Sequence, residues 1–274
     1  ARMRKPGKYY AKKQGGKLPC FCFDEVTSTS DAAKLIIHEG GAEEVFAVIA
    51  AEQSAGRGRM GRRFVSPRDK GIYLTLARRV AREGDYSPLG CFVSLAVCRF
   101  VEETFGVPCT LKWPNDVLSG GRKICGILPE SVYGAGGERY VLVGMGVNVL
   151  TTEEDFGELA DIATSALLES RKSDINLVLR GNTRAALIKL GGALAVLADE
   201  TAGRWLAGDA GLVREYEERL GTVGEDVEFD ASDGKRCRGR AVGVTADGAL
   251  TVFSDGAMYT VRWGEVVTRA DEAR

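Results

Sequence analysis

Apolar and polar positions fall into blocks along this chain, and the blocks have the lengths of ordinary secondary-structure elements. A segment over 18–26 reads as a short strand and enters the polar sequence Thr27-Ser28-Thr29-Ser30-Asp31, the pattern of a strand running into a turn. Thr29 or Ser30 is placed to cap a helix over 31–38, which Gly40-Gly41 would end. Residues 45–51 are continuously apolar, as in a strand buried on both faces. A polar stretch rich in Gly and Arg, 52–71, reads as a loop, and 72–77 as the next strand. Apolar residues at helical spacing over 90–104 predict a helix, closed by Gly106 and Pro108. Strands are expected at 110–118, 122–128 and 139–150, joined by turns at 119–121 and 134–137, with two helices in 182–220.

From Thr222 the texture changes. Short β-prone runs at 227–229, 239–244, 250–253 and 258–263 alternate with the turns Ser232-Asp233-Gly234, Ala246-Asp247-Gly248 and Ser254-Asp255-Gly256. That spacing predicts a small β-barrel of SH3-like size. The expected division is therefore a first domain over 18–221 and a second over 222–274, with a boundary near Gly221.

Composition narrows the class without naming a function. The 274 residues are 45% apolar and 27% charged, with a formal net charge of −1, as in an ordinary soluble globular protein. No apolar run has the length of a membrane span. The charge is uneven: residues 1–17 carry Arg2, Arg4, Lys5, Lys8, Lys12, Lys13 and Lys17 and no acid. Such a segment is expected to be an unstructured arm; a nucleic-acid contact is the lesser alternative. Seven cysteines (Cys20, Cys22, Cys91, Cys98, Cys109, Cys125 and Cys237) include no Cys-x-x-Cys pair, which favours reduced thiols in a cytoplasmic setting. Because the chain begins at Ala1, an organellar copy is left open. The one histidine, His38, follows an apolar stretch and reads as a surface or packing residue. No protein ligand for a metal is assigned.

Three segments carry candidate chemistry. Gly56-Arg57-Gly58-Arg59-Met60-Gly61-Arg62-Arg63 matches G-x-G-x-x-G but neither follows a strand directly nor opens a helix, so a dinucleotide fingerprint is excluded. A protein-kinase loop lacks its His-Arg-Asp and Asp-Phe-Gly partners. Glycines let backbone N–H groups approach an anion, and arginines add forked donors, so the loop suits phosphate or carboxylate. A solvated basic loop is the plainer alternative. In Lys112-Trp113-Pro114-Asn115-Asp116 the proline removes a ladder donor, so the strand is expected at an edge or bulged, with Asn115 and Asp116 turned to a ligand. Lys123 starts an otherwise apolar strand that contains Gly126, and Gly144-Met145-Gly146-Val147-Asn148 again pairs small residues with a terminal amide. Strand-end charge and helix packing would explain both without a ligand.

Taken together and in this order, Ser28-Thr29-Ser30, Gln53 with 56–62, Lys112 to Asp116, Arg122-Lys123 with Gly126-Ile127-Leu128, and Gly144 to Asn148 resemble the biotin protein ligase family. The resemblance runs from about Cys22 to Asn148 and more loosely to Val267. It implies an α+β fold: a mixed β-sheet flanked by helices, of the class II synthetase-like kind, with an SH3-like C-terminal barrel. It implies that biotin and MgATP give biotinyl-5′-AMP and pyrophosphate, and that a lysine of a biotin carboxyl carrier domain then takes the biotin. By motif match, Ser28, Thr29, Ser30, Gln53, Gly56, Arg57, Gly58, Arg59, Lys123, Gly126 and Gly144 would bind biotin. Arg57, Arg59, Arg62, Phe64, Lys112, Asn115, Asp116, Lys123 and Asn148 would serve ATP or the adenylate, with Lys123, Arg57 and Arg59 catalytic. No DNA or membrane partner is expected, since about 20 residues before Phe21 cannot hold a helix-turn-helix domain; a homodimer is left open. The alternatives are a lipoate or octanoate ligase on the same fold and a noncatalytic biotin-binding protein. Phe64 stands where the family commonly has Trp, and Pro129 interrupts a Gly-Ile-Leu-aliphatic-Glu run, so it is expected to end or bulge that strand.

Overall fold

The computed structural model describes residues 6–13, 16–40, 42–170, 175, 179, 181–231, 234–262, 264 and 266–268. Its main sheet has eight strands in the order β1-β2-β3-β4-β8-β7-β6-β5. These are β1 Gly7–Lys13, β2 Gly16–Phe23, β3 Val45–Ala50, β4 Gly71–Val80, β5 Thr110–Lys112, β6 Asp116–Ser119, β7 Arg122–Tyr133 and β8 Arg139–Asn148. Only β2 and β3 run parallel, joined through helix α1 (Thr29–His38); every other neighbouring pair is antiparallel. The sheet is therefore mixed, because a parallel pair needs a crossover that a hairpin cannot supply.

Period-two alternation distributes the strands' side chains to two faces. Phe46, Val48 and Ala50 of β3 pack with Ala32, Ala33 and Ile37 of α1, while Ala47 and Ile49 join the larger core on the opposite face. That larger core contains α2 (Leu89–Phe105), which is buried along most of its length and ends at Gly106 with φ 65°. Short helical turns α3 (Glu153–Phe156) and α4 (Ala166–Glu169) precede α5 (Thr183–Leu206) and α6 (Ala210–Arg219). The second sheet is antiparallel, β12-β11-β10-β9-β13, built from β9 Asp226–Asp230, β10 Arg236–Val244, β11 Leu250–Ser254, β12 Ala257–Val261 and β13 Val267–Thr268. Trp263 and the Ser232-Asp233 turn lie outside the described residues.

Four expectations are corrected. The basic segment is not an unstructured arm over 7–13: it forms β1, whose Tyr9 hydroxyl donates to the Ile188 carbonyl at 2.9 Å and whose Lys13 pairs with Asp199. Arg2, Arg4 and Lys5 lie outside the described residues. The cap of α1 is Ser28, whose Oγ accepts from the Asp31 N–H at 3.0 Å, rather than Thr29 or Ser30. Residues 110–118 are not one strand but two, β5 and β6, folded into a hairpin at Trp113-Pro114-Asn115 with a cis Trp113–Pro114 bond. Pro129 neither ends nor bulges β7, which keeps register with β8 from Cys125 to Tyr133. The reason is positional: β6 pairs with β7 only as far as Gly126, so beyond it β7 is an edge strand that tolerates a missing donor.

Candidate active site

On the face of the main sheet that carries α1, the strands beyond the helix become small. Gly126 of β7 pairs with Gly146 of β8, and Leu128 with Gly144, leaving a depression where longer side chains would stand. The Arg-Gly loop lies over it, enclosing a cavity of about 450 Å³. The loop is itself a small hairpin: Phe64 N–H donates to the Gly56 carbonyl at 2.9 Å and Gly58 N–H to the Arg62 carbonyl at 2.7 Å. Met60 sits at its tip with φ 54°. The Phe64 ring rests on the two glycines; a Cβ at Gly146 would come within 2.4 Å of it and one at Gly126 within 3.3 Å.

Of the residues expected from the sequence, all but one line this cavity: Ser28, Thr29, Ser30, Gln53, Arg57, Gly58, Arg59, Arg62, Phe64, Lys112, Asn115, Asp116, Lys123, Gly126, Gly144 and Asn148. Gly56 does not. It is buried at the base of the loop, where a Cβ would lie 2.6 Å from the Phe64 carbonyl, so its part is to let the hairpin close.

The polar wall is built from the first turn of α1 and Gln53, backed by Thr75 of β4. Thr29 N–H donates to Gln53 Oε1 at 2.9 Å, and Gln53 Nε2 donates to Ser66 Oγ at 2.9 Å. Thr75 donates to Thr29 Oγ1 at 2.8 Å and lies 3.2 Å from Ser30 Oγ. Buried hydroxyls linked in this way are orientated by one another rather than by water. The cationic wall is held differently. Arg57 forms a two-point bond to Asp31, at 2.7 and 2.6 Å. Its guanidinium holds the Asp31 carboxyl below the usual carboxylate range. Arg59 donates to Asn115 Oδ1 at 3.3 Å and to the Gly264 carbonyl at 2.7 Å. Lys123 Nζ lies 2.6 Å from Asp116 Oδ1. Below it, burial pushes the Cys125 thiol upward, so that sulfur stays protonated at neutral pH.

The Lys112-to-Asp116 hairpin owes its position to Trp113, which is 3% exposed and reaches the turn between β10 and β11. Trp113 Nε1 donates to the Gly248 carbonyl at 2.9 Å, and the Tyr216 hydroxyl donates to the Pro114 carbonyl at 3.2 Å. With the turn anchored, Asn115 and Asp116 face the cavity. Asn148 donates from Nδ2 to the Thr164 carbonyl at 3.0 Å, while its buried Oδ1 has no partner among the described residues. Among the described residues no group of three or more His, Cys, Asp or Glu could hold a metal ion, and no helix is long and apolar enough to cross a membrane. All seven cysteines are free thiols.

Comparison with known proteins places the chain in a family. The family model for the biotin/lipoate A/B protein ligase family matches residues 21–148. The biotin–[acetyl-CoA-carboxylase] ligase of Mycobacterium tuberculosis is 30% identical over 251 residues, covering 88% of this chain and 86% of that protein. The chain belongs to the biotin protein ligase family. The bifunctional ligase/repressor BirA of Bacillus subtilis is 37% identical over 144 residues, 52% of this chain but only 44% of that protein. The match thus spans less than half of that relative. A solved structure of the biotin protein ligase from Aquifex aeolicus, in complex with biotin and ATP, superposes with a TM-score of 0.73 at 24% identity, covering 91% of this chain and 98% of that one. The fold class expected from the resemblance is the one observed: a mixed sheet flanked by helices, followed by an antiparallel C-terminal sheet.

Within the family frame, the sequence reading missed two parts of the wall. Phe156, Leu159, Ile162 and Ala163 close one side, held there because Lys123 N–H donates to the Ile162 carbonyl at 2.8 Å and Thr164 N–H to the Lys123 carbonyl at 2.9 Å. Val266 and Val267, from the second sheet, close another. Main-chain pairing at long range leaves no local pattern to read. Thr75, which stands behind the wall and bonds Thr29 and Ser30, was missed too; a polar residue inside an apolar strand was the available signal.

Proposed function

We propose that this protein activates biotin with MgATP and transfers it to a lysine of a biotin carboxyl carrier domain. The observation that carries the reading is that all five sequence segments meet at one cavity, polar on its α1 side and cationic beneath its loop. That arrangement supports a reaction between two anions. In the first step a biotin carboxylate oxygen bonds to the α-phosphorus of ATP, the bond from that phosphorus to the bridging oxygen breaks, and pyrophosphate leaves. Donors fixed around a phosphorus centre that gains charge lower the barrier, because they need no reorganisation as the charge develops. Arg57, Arg59 and Lys123 are the residues to which we assign that work, with Arg62, Lys112, Asn115, Asp116 and Asn148 serving nucleotide binding. In the second step the carrier lysine's neutral ε-amine attacks the acyl carbon, AMP leaves with the electron pair of the acyl–oxygen bond, and the nitrogen gives up one proton to solvent as the amide forms. Ser28, Thr29, Ser30 and Gln53, with Gly126 and Gly144 beneath, would hold biotin.

The cation count is tempered by the carboxylates of Asp31 and Asp116, so the loop reaches the ligand without a large uncompensated field. The free cysteines are in keeping with a reducing, cytoplasm-like setting. The test is pyrophosphate release from MgATP with biotin, lipoate or octanoate. Release with biotin alone is expected. Release with only the other acids would reassign the substrate, and none with any acid would leave a binding protein.

A further inference from the structure

We propose that Asp31, which does not itself line the cavity, is a positioning residue for the anion-binding loop and acts through Arg57. The inference rests on reading the cavity as the adenylation site. Arg57 is the first arginine of the loop and stands at the cavity wall. Its two terminal nitrogens meet the two oxygens of Asp31 at 2.7 and 2.6 Å. A two-point bond of this kind sets the plane of the guanidinium as well as its place, which a single contact or a lysine would not do.

The other side of the bond is rigid. Asp31 lies in the first turn of α1, its N–H is held by Ser28 Oγ at 3.0 Å, and Ser28, Thr29 and Ser30 of the same turn line the cavity. The ion pair therefore ties the loop to the wall that faces biotin. Two residues further along the same arm of the loop, Arg59 is tied to Asn115 and to the Gly264 carbonyl. The hairpin bonds at Gly56–Phe64 and Gly58–Arg62 flank Arg57 and fix its backbone, but they leave the direction of its long side chain to its partner, Asp31. Glu130, a second carboxylate whose charge reaches Arg57, takes the Lys34 ammonium on Oε1 at 2.7 Å and makes no hydrogen bond to Arg57; its Oε2 is buried and has no partner among the described residues. With Asp31 holding one edge of the guanidinium, the remaining donors stay available to a ligand oxygen.

Both side chains of the pair are about a third exposed, at 39% and 34%. Exposed ion pairs contribute little to global stability, so Asp31→Asn tests position while the fold stays intact. In the full chain, Asp31→Asn is expected to raise KM for MgATP and to speed loss of bound biotinyl-AMP, each by roughly 3–10-fold, the size of a coupling between groups in contact. The melting temperature stays unchanged, and Asp31→Glu recovers part of the loss. In an Arg57→Ala background, Asp31→Asn adds nothing further. Amide hydrogen exchange over 56–63 in the ligand-free protein reads the positioning apart from catalysis, and it rises in Asp31→Asn. Wild-type exchange in that variant, or full additivity with Arg57→Ala, overturns the proposal. Absence of pyrophosphate release from the wild type overturns the adenylation reading instead, and the exchange result then decides the positioning on its own.

Discussion

The ammonium of Lys123 lies 2.6 Å from the Asp116 carboxylate, across the β6–β7 pair. Both side chains line the cavity, so the cation is held on the wall by the same hairpin that presents Asn115. Their side chains are 37% and 29% exposed, which makes the pair a minor contributor to stability and a movable one. Lys123→Ala is therefore expected to fold normally and to form biotinyl-AMP about 10²–10³-fold more slowly, the loss typical of removing one fixed donor from a developing charge. Single-turnover adenylation measures this. A wild-type rate would remove Lys123 from the chemistry.

Arg59 reaches from the loop to Asn115 and to the Gly264 carbonyl, and so joins three separate stretches of chain over one opening. Arg59→Gly cuts both ties and adds a further flexible residue to the loop. Biotinyl-AMP should then leave the site at least about tenfold faster, with slower loss counted against about 1.4 kcal/mol of holding energy. The dissociation rate of preformed intermediate checks this, and retention equal to the wild type would show that the loop does not hold it.

Phe64 occupies the ground that Gly126 and Gly146 leave open. In Gly146→Ala the new Cβ would fall 2.4 Å from the ring, and the ring, being the far end of a side chain, gives way before the sheet does. Because Phe64 closes the base of the loop hairpin, its displacement should misplace the arginines and reduce adenylation by about 10²-fold. Adding Phe64→Ala to Gly146→Ala removes the clash and should recover part of the rate. No recovery would mean that the glycine is needed for the ligand rather than for the ring.

How far the sequence could be read depended on how local the cause was. The continuous apolar run at 45–51 and the helical spacing at 90–104 became β3 and α2 within a residue or two, because burial decides both. The cavity residues were legible because glycines, arginines and amides of unusual placement cluster in short segments. The hairpin at Trp113-Pro114-Asn115 was not, since its turn is held by Gly248, Thr222 and Tyr216, more than 100 residues away. Pro129 was misread because only the sheet order reveals that β7 has an open edge there. In the basic segment, lysines at 8 and 12 hid the alternation of Tyr9, Ala11 and Lys13, which face α5.

Asp69 links the end of the loop region to α5 through the fork of Arg184, with contacts of 2.8 and 2.9 Å. That fork holds the Asp69 carboxyl below its ordinary range. A depressed carboxyl contributes fully above the pKa of the unfolded chain, about 3.9, and loses that contribution as pH falls from there through the lower pKa of the folded state. Melting temperature should thus fall on acidification below about pH 5, and Asp69→Asn should start lower and fall less. Parallel curves for the two proteins would show that this pair has no part in the acid limb.

The β1 strand makes the opposite kind of prediction, a change in stability without a change in chemistry. Tyr9 donates to the Ile188 carbonyl, and its ring fits only because residue 192 is glycine; a Cβ there would lie 1.9 Å from the Tyr9 oxygen. Lys13 pairs at 2.9 Å with Asp199, which is 4% exposed and also bonds Arg78. Deleting residues 1–13 would uncover Leu18 and Cys20 on the neighbouring strand and leave the buried carboxylate with one partner fewer. The expected cost is about 2–3 kcal/mol, read from urea unfolding. No residue of β1 lines the cavity, so biotinyl-AMP formed per folded molecule should match the full chain. Were that yield to drop while the fold survived, the strand would have to act on the site through β2 and the Ser28 turn that follows it.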